Sequence, residues 1–428
     1  MRHVTLCLRL ARRFAHFLRE EGLRPTLRRS LAWLRRNRLQ PAPTGAVGPG
    51  IGWDVQSFWT ESARKSAFRI ATPPRLTQRR KVAMIGDLNL PQCRKYRVEQ
   101  PVELLREAGT DYAFSHFQDL PRCMDILQDA THLFLYRLRS GPEVTRHLYE
   151  ARRLRLPILY DIDDPLFSVP AYAGYGNMAI LPPELQQHFI REAPFYADIM
   201  NQADVISVST PALQEHARSF TPRPVFLRRN FADEATLAAP RPDGRRDRAG
   251  FRICLASGSR GHEADFAVIA RDVARFLARD RGRRLVILGH FDRALLPEEI
   301  LPQIETHPFT DYRSYLEQLA TCDLALMPLA DDLFNRCKSG VRVIDAASVA
   351  VPSLVGTVSD MAAHVTDGVT GRVIGPGASW AQALEDMATT PGLAAEMGRT
   401  ARRELEHHWS ARLDNPVVDP ELMRWIAA

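Results

Sequence analysis

The chain has 428 residues, of which 45% are hydrophobic and 25% charged, and it carries a formal net charge of +7. This length exceeds what one hydrophobic core usually supports, so we expect two globular domains and no disordered bulk. The 6 cysteines form no CxxC pair or Cys/His cluster, which predicts free thiols in a reducing compartment and excludes a structural zinc site.

Residues 1–38 are rich in arginine and read as two basic amphipathic helices around residues 22–25. Such helices bind anionic membrane surfaces, although a helical hairpin packed on the protein body is an open alternative. Nucleic acid is disfavoured as a partner because no nucleic-acid-binding module accompanies the charge. We find neither a bilayer-spanning run nor a secretory signal, so we expect a cytoplasmic protein. If residues 1–38 bind a membrane, we expect peripheral attachment to the inner face of the cell membrane.

After a Pro- and Gly-rich connector to residue 80, apolar strands alternate with helical segments in two series. The predicted strands cover residues 81–86, 131–136, 156–161 and 203–210, then 251–256, 284–288, 324–328 and 353–356. Because these segments are apolar on both faces, they predict an α/β fold with two doubly wound parallel sheets covered by helices. The ligand should bind in the cleft at the carboxyl ends of the strands.

The most informative stretch runs from Phe334 to Asp345. Lys338 and Arg342 are four residues apart, so on a helix they share a face near its N-terminus, where backbone N–H groups already favour phosphate. Asp345 lies about one turn further on and can accept hydrogen bonds from the vicinal hydroxyls of a ribose. The pattern predicts a nucleoside-diphosphate pocket, and a surface loop that opens an ordinary amphipathic helix is the alternative.

A second candidate ligand loop follows the first strand of the second series. Gly258 and Ser259 let the backbone approach a ligand closely, and Arg260 can contact a pyrophosphate. His262 and Asp265 follow at the start of a helix, and the alternative makes them an exposed ring and a capping carboxylate. Because both motifs follow strands of one sheet, the topology should bring them to one edge.

These motifs resemble the sugar-nucleotide half of GT-B glycosyltransferases, in the retaining, family 4-like superfamily whose signature is two glutamates separated by seven residues. Asp345 stands at the place of the second glutamate, which holds the ribose, and Cys337 replaces the first, which faces the donor sugar. The chain is more similar to a bacterial subgroup with FNxxKS and HxxDF runs. That resemblance implies donor contacts from Asn335 and Ser339 and covers about residues 81–415.

An acidic run closes the third strand of the first series. Asp161, Asp163 and Asp164 superficially match the DxD motif of metal-dependent glycosyltransferases and can hold a divalent cation. The GT-B resemblance instead implies that cationic side chains screen the diphosphate without a metal. We therefore interpret Asp161 and Asp164 as lining the acceptor cleft and Asp163 as a candidate base, with capping of the next helix as the alternative.

A basic run follows the first strand of that series. The subgroup carries a similar CxxYR sequence there, and Arg94, Lys95 and Arg97 can grip the phosphate of a lipid-linked acceptor. In the alternative interpretation, Tyr96 and Arg97 brace the face between the domains. The sequence leaves both interpretations open.

Taken together, the resemblance implies a GT-B glycosyltransferase with two Rossmann-like domains facing a cleft. We expect a helical extension and connector (1–80), an acceptor-side domain (81–232), a linker (233–250), a donor domain (251–410) and a C-terminal helix that crosses back (411–428). The enzyme would transfer a sugar from a nucleotide-diphosphate donor to a glycan or lipid-linked acceptor in envelope polysaccharide synthesis, without a cofactor. A non-hydrolysing sugar-nucleotide epimerase and a non-catalytic glycan-binding scaffold are the alternatives.

In this expectation Lys338 and Arg260 stabilise the departing diphosphate. Asp163 acts as base if the anomeric configuration inverts, and the superfamily resemblance implies retention. The substitution of Cys337 for the glutamate leaves that outcome open.

Overall fold

The computed structural model describes residues 79–239, 250–258, 262–292, 296–415 and 417–428, together with five isolated helical positions between 23 and 31. Apart from those positions, the predicted basic helices and the connector up to residue 78 lie outside the described residues, as do Ser259 and Arg260. Their predicted roles stay predictions. No helix within the described ranges is long and apolar enough to cross a bilayer.

The first half of the described chain is built on a six-stranded sheet, here called the first sheet. Its strands are β1 (Lys81–Gly86), β2 (Asp111–His116), β3 (His132–Tyr136), β4 (Ile158–Ile162), β5 (Val205–Val208) and β6 (Val225–Leu227). All are parallel and lie in the order β2-β1-β3-β4-β5-β6. This extends the order of flavodoxin-like sheets by one strand.

The second half is built on another parallel sheet of six strands, the second sheet. Its strands are β7 (Arg252–Ser257), β8 (Arg284–Gly289), β9 (Ile304–His307), β10 (Leu324–Met327), β11 (Ser353–Gly356) and β12 (Gly371–Ile374). The order β12-β11-β10-β7-β8-β9 is that of dinucleotide-binding sheets. The prediction of two doubly wound α/β sheets is confirmed.

Helices cover both faces of each sheet. In the first half they are α1 (Pro91–Arg94), continuing as a π-helical turn (Lys95–Glu99), α2 (Pro101–Glu107), α3 (Leu120–Gln128), α4 (Pro142–Arg153), α5 (Val169–Ala173), a 3₁₀ turn (Gly176–Ile180), α6 (Pro183–Gln202), α7 (Pro211–Arg218) and α8 (Glu234–Leu237). In the second half they are α9 (Glu263–Ala267), α10 (Ala270–Ala278), a 3₁₀ turn (Glu298–Gln303), α11 (Tyr312–Leu319), α12 (Leu333–Arg336), α13 (Val341–Ser348), a 3₁₀ turn (Asp360–His364), α14 (Trp380–Thr389), α15 (Leu393–His408) and α16 (Pro420–Ala427).

The core forms because alternate residues of each interior strand point to opposite faces of a covered sheet. In β1, Ala83 and Ile85 pack into the cluster on one face of the first sheet, and Val82 and Met84 pack into the cluster on the other. The second cluster also contains Leu422 and Ile426 of α16. The chain therefore returns from the second half to seal one face of the first sheet.

Two glycines hold the loops of the second half in place. A Cβ on Gly289, whose φ is +103°, would lie 2.1 Å from the Ser257 carbonyl oxygen, so β8 approaches the end of β7 only because position 289 has no side chain. A Cβ on Gly340 would lie 2.4 Å from the His364 ring. Gly340 is the N-cap of α13 and follows the FNxxKS turn directly, so this close approach fixes where that turn lies.

Candidate functional site

Strand order in the second sheet reverses between β7 and β10, and ligands of such sheets bind in the crevice at this reversal. The chain leaving β7 leads to His262 and α9, and the chain leaving β10 leads to α12 and Lys338. Asp332 accepts a hydrogen bond from the Asn335 N–H, which caps α12 and starts the turn that carries Lys338. The two sequence motifs therefore meet at one edge of the sheet, as predicted.

Asp265 joins the two motifs, and its side chain is only 3% exposed. Its Oδ1 accepts hydrogen bonds from Asn335 Nδ2 at 2.8 Å and from the Ala330 N–H at 3.1 Å. Its Oδ2 lies 3.1 Å from His262 Nδ1 and 3.6 Å from Lys338 Nζ. Asp265 is therefore a buried hub, and the alternative in which it merely caps α9 does not describe these contacts.

We call His262, Asp265, Asn335, Lys338 and Arg342 the Asp265 cluster. Arg342 donates to the Ala256 carbonyl at 3.3 Å, beside the end of β7. Burial lowers the pKa of both Lys338 and Arg342. Burial, together with the charges of Lys338 and Arg342, lowers the pKa of His262 to about 4, so its ring is neutral at pH 7.

Burial opposes the charge of Asp265, but His262 and Lys338 hold the pKa of its carboxyl below the ordinary value. The Asp265 cluster thus contains two cationic side chains and one carboxylate. A buried surplus of positive charge is costly unless an anion compensates it. The arrangement is suited to a phosphate group.

The first half contributes two contacts to the Asp265 cluster that the sequence motifs do not predict. Lys338 Nζ donates to the Tyr175 hydroxyl at 3.0 Å, and Asn177 Nδ2 donates to Asp265 Oδ2 at 2.9 Å. Both residues lie where α5 leads into the 3₁₀ turn at residues 176–180. No strand end or glycine-rich signature marks this loop, so a sequence pattern gave no reason to select it.

Asp345 lies in α13 and is 4% exposed. Its Oδ1 accepts hydrogen bonds from the Tyr96 hydroxyl at 2.5 Å and the Tyr312 hydroxyl at 2.8 Å. Burial raises the pKa of Asp345 to about 6. Tyr96 was expected on the acceptor side, but the structure places its hydroxyl on the carboxylate predicted to hold the ribose.

Tyr96 lies in the π-helical turn between Lys95 and Arg97, and all three side chains are buried. Lys95 Nζ donates to Asp233 at 3.1 Å and to the Thr236 hydroxyl at 2.8 Å. Tyr96 reaches the second half, and Arg97 points into the first half. Through Lys95 and Tyr96, the turn therefore contacts both the second half and the segment at residues 233–236, which leads from the first half into the second.

Arg97 and Asp161, predicted to line the acceptor cleft, are both 0% exposed. Arg97 Nε donates to Asp161 Oδ2 at 3.0 Å, and Arg228 Nη2 donates to the same oxygen at 2.5 Å. Arg97 Nη1 also donates to Asn230 Oδ1 at 3.0 Å. Both side chains are thus buried inside the first half instead of lining an open cleft. Arg97 reaches the face between the halves only through Asn230, which also donates to Ser339.

Ser339 and Cys337 of the FNxxKS turn also face the first half. Ser339 Oγ accepts a hydrogen bond from Asn230 Nδ2 at 2.9 Å, and the Cys337 carbonyl accepts one from Thr210 Oγ1 at 3.0 Å. The Cys337 side chain is 1% exposed, and burial raises the pKa of its thiol to about 12. Cys337 therefore remains a neutral thiol and cannot supply the charge of the glutamate it replaces.

The remaining predicted acceptor-side residues and the candidate base Asp163 lie at the carboxyl edge of the first sheet, whereas Gly258 directly follows β7 of the second sheet. Arg137 Nη1 donates at 2.9 Å to both Asp163 Oδ1 and Asp164 Oδ2, and burial raises the pKa of Asp163. Arg94 pairs with Glu99 at 2.7 Å on the partly exposed side of the π-helical turn. No group of three or more potential metal ligands is found among the described residues.

Solved structures match the fold over most of the chain. A glycosyltransferase from Rickettsia africae ESF-5 matches with a TM-score of 0.54 at 11% identity, over 82% of this chain and 99% of that protein. Anabaena Alr3699/HepE in complex with UDP-glucose matches with a TM-score of 0.51 at 14% identity, over 81% and 98%. The protein has the GT-B fold. No protein-family profile and no curated protein sequence matches the chain.

The Asp265 cluster and Asp345 lie on the second-sheet side of the contacts between the halves. Arg137, Asp163 and Asp164 lie on the first-sheet side. The predicted donor residues thus lie in the second half and the predicted acceptor residues in the first, although the Tyr96 hydroxyl reaches across to Asp345.

Proposed function

We propose that this protein is a glycosyltransferase that moves a sugar from a nucleotide-diphosphate donor to an acceptor hydroxyl. The observation that carries the proposal is the convergence of His262, Asn335 and Lys338 on Asp265 at the strand-order reversal of the second sheet. HepE, which shares the fold, was solved with UDP-glucose. The donor motifs and the fold therefore support the same class of reaction.

In the proposed reaction, the bond between the donor sugar's anomeric carbon and the diphosphate oxygen breaks. The electron pair leaves with the diphosphate while an acceptor oxygen bonds to the anomeric carbon and loses its proton. Negative charge thus grows on the leaving diphosphate. Lys338 and Arg342 offer fixed positive charge in a buried site, where such stabilisation is strongest, and we assign Arg260 the same role. Gly258, Ser259, Asn335 and Ser339 complete the proposed donor contacts.

The acceptor is proposed to bind at the carboxyl edge of the first sheet. Asp163 is the candidate base if the configuration inverts, and its raised pKa suits proton acceptance better than that of an exposed aspartate. Arg137 already engages both Asp163 and Asp164, which supports transfer without a metal. We further propose a glycan or lipid-linked acceptor in envelope polysaccharide synthesis, with residues 1–38 holding a cytoplasmic enzyme at an anionic membrane.

Calorimetric titration with UDP, GDP, ADP, CDP and dTDP tests the proposed donor site. We expect one diphosphate to bind in the micromolar range and to keep its affinity in EDTA, because cationic side chains replace a metal. Failure of all five to bind would favour the scaffold alternative. Conversion of a nucleotide sugar without any acceptor would favour the epimerase alternative.

Asp345→Ala should remove the preference for a ribose diol. A site built to hydrogen-bond hydroxyl groups rejects analogues that lack them. Tyr96 and Tyr312 fix the carboxylate through Oδ1, and a carboxylate has about four acceptor positions. We therefore expect the protein to bind a ribonucleoside diphosphate at least about 10-fold more tightly than its 2′-deoxy form. If Asp345→Ala still preferred the ribonucleotide to the same degree as the wild type, the ribose assignment would be wrong.

The same assignment predicts a pH dependence of donor binding. The ionised form of Asp345 accepts the ribose hydrogen bonds, and its pKa is raised to about 6. The preference for a ribonucleoside diphosphate over its 2′-deoxy form should therefore be full above pH 7 and fall as the pH drops through about 6. The comparison cancels the ionisation of the diphosphate itself, which also has a pKa of about 6 and affects both ligands alike. In Asp345→Ala the ratio of the two affinities should not change with pH.

A further inference from the structure

We infer that Tyr175 is a positioning residue that holds the Lys338 ammonium in the place where it meets the donor diphosphate, so that the first half completes the phosphate site of the second. The inference rests on the proposed function, because it assumes that Lys338 binds a diphosphate. It adds a residue outside the donor motifs and assigns the loop between α5 and the following 3₁₀ turn to the donor site.

The first observation is the number of separate contacts this loop makes with the two motifs. Tyr175 accepts a hydrogen bond from Lys338, and the Gly176 N–H donates to Asp332 Oδ2 at 3.2 Å. Asn177 donates to Asp265 and accepts from the Ala264 N–H at 3.2 Å. Three consecutive residues thus bind the cap of α12, the lysine after it and the hub carboxylate.

The second observation is that the Tyr175 ring has little freedom to move. It stacks on Phe334 with ring centres 4.2 Å apart and planes inclined by 14°. Phe334 belongs to α12, only four residues before Lys338. The stacking therefore fixes the position of the Tyr175 hydroxyl relative to the turn that carries Lys338. A hydrogen bond to an acceptor that is already fixed costs little conformational entropy.

The third observation is the pair of contacts that the ammonium makes. Lys338 Nζ forms an ion pair with Asp265 Oδ2 at 3.6 Å, beyond hydrogen-bond distance, and a hydrogen bond with the Tyr175 hydroxyl at 3.0 Å. The ion pair is weakly directional, whereas the hydrogen bond fixes where the ammonium lies. Removing the hydroxyl would leave Lys338 its charge partner but take away this fixed acceptor. Tyr175 thus positions Lys338 without neutralising its charge.

Tyr175→Phe removes the hydroxyl and keeps the stacked ring, so it isolates the hydrogen bond. Tyr172→Phe is the matched control, because Tyr172 packs on the same Phe334 with ring centres 5.5 Å apart. Calorimetry would use the best-binding nucleoside diphosphate and its monophosphate between pH 6 and 9.5. We expect Tyr175→Phe to weaken diphosphate binding about 10-fold at pH 8, with monophosphate binding changed by less than about twofold.

The pH profile separates positioning from a general loss of structure. Deprotonation of Lys338 abolishes its attraction for phosphate, and loss of a hydrogen-bond acceptor favours the neutral amine. Diphosphate affinity should therefore begin to fall at lower pH in Tyr175→Phe than in the wild type or in Tyr172→Phe. An unchanged profile and affinity in Tyr175→Phe would overturn the inference.

Lys338→Ala distinguishes failure of this inference from failure of the proposed function. If Lys338→Ala loses diphosphate affinity and Tyr175→Phe does not, the diphosphate site stands and the role of Tyr175 is wrong. If Lys338→Ala also binds normally, the proposed diphosphate site is itself misplaced. In the proposed reaction Lys338 faces the phosphate that carries the leaving oxygen, and a nucleoside monophosphate lacks that phosphate. Equal weakening of diphosphate and monophosphate binding by Tyr175→Phe would therefore likewise count against the inference.

Discussion

Replacing Lys338 by alanine should lower kcat by about 100-fold, because preorganised charge at a leaving group typically contributes about that factor. The Lys338 side chain is 14% exposed and lies within the Asp265 cluster, so bulk water cannot replace its charge effectively. The measurement is initial rate at saturating donor, using the donor that the nucleotide titrations identify. KM for the donor should change less than kcat if the charge acts chiefly in the transition state.

Arg336→Ala is the matched control for Lys338→Ala. Arg336 is a cation two residues earlier on the same turn, but its side chain is 55% exposed and pairs with Asp331 at the surface. Its loss should leave the rate within about twofold of wild type, since exposed ion pairs contribute little. Equal rates in Lys338→Ala and Arg336→Ala would show that the buried position of the Lys338 charge does not matter to the reaction.

Asp161→Ala should destabilise the protein by about 3–5 kcal/mol, the range observed when one partner of a buried ion pair is removed. Two guanidinium groups, Arg97 and Arg228, would remain buried without the carboxylate that compensates them. Urea unfolding followed by circular dichroism measures the change. Asp414→Ala should leave the midpoint unchanged, because Asp414 pairs with Arg412 at the exposed surface. A small effect of Asp161→Ala would mean that water reaches the arginines.

The same network predicts how acid acts on the fold. Burial alone would raise the pKa of Asp161, but the charges of Arg228 and Arg97 hold it below its ordinary value. A carboxyl whose pKa is lower in the folded state contributes stability above its unfolded pKa and loses it as the pH falls. The wild type should therefore lose this contribution below about pH 4, and Asp161→Ala should show a weaker acid dependence.

The sequence predicts the interior strands well and misses the edges. The eight predicted strands correspond to β1, β3, β4, β5, β7, β8, β10 and β11, whereas β2, β6, β9 and β12 were not predicted. Those four are the outermost strands of the two sheets. Interior strands are buried on both faces and read as apolar runs, whereas β9, with the sequence IETH, carries polar residues and β6 has only three residues.

The candidate site also has one part that the sequence predicts and another that it does not. The meeting of His262, Asn335 and Lys338 was predictable because each motif lies close to a strand end, and parallel topology brings strand ends to one edge. The contributions of Tyr96 and Tyr175 were not predictable, since they depend on how the two halves pack. The burial of Asp161 was not predictable either, because its partner Arg228 is 67 positions away in the chain. For that reason the sequence pattern alone led to its assignment to the acceptor cleft.

The return of α16 to the first sheet has a consequence for biosynthesis. Arg80 and Ala428, 348 positions apart, are joined by a hydrogen bond, and Leu422 and Ile426 cover residues of β1 and β3. While the ribosome is still translating the second half, that apolar surface has no cover and can recruit chaperones. The amino-terminal half is completed only after translation has passed residue 427.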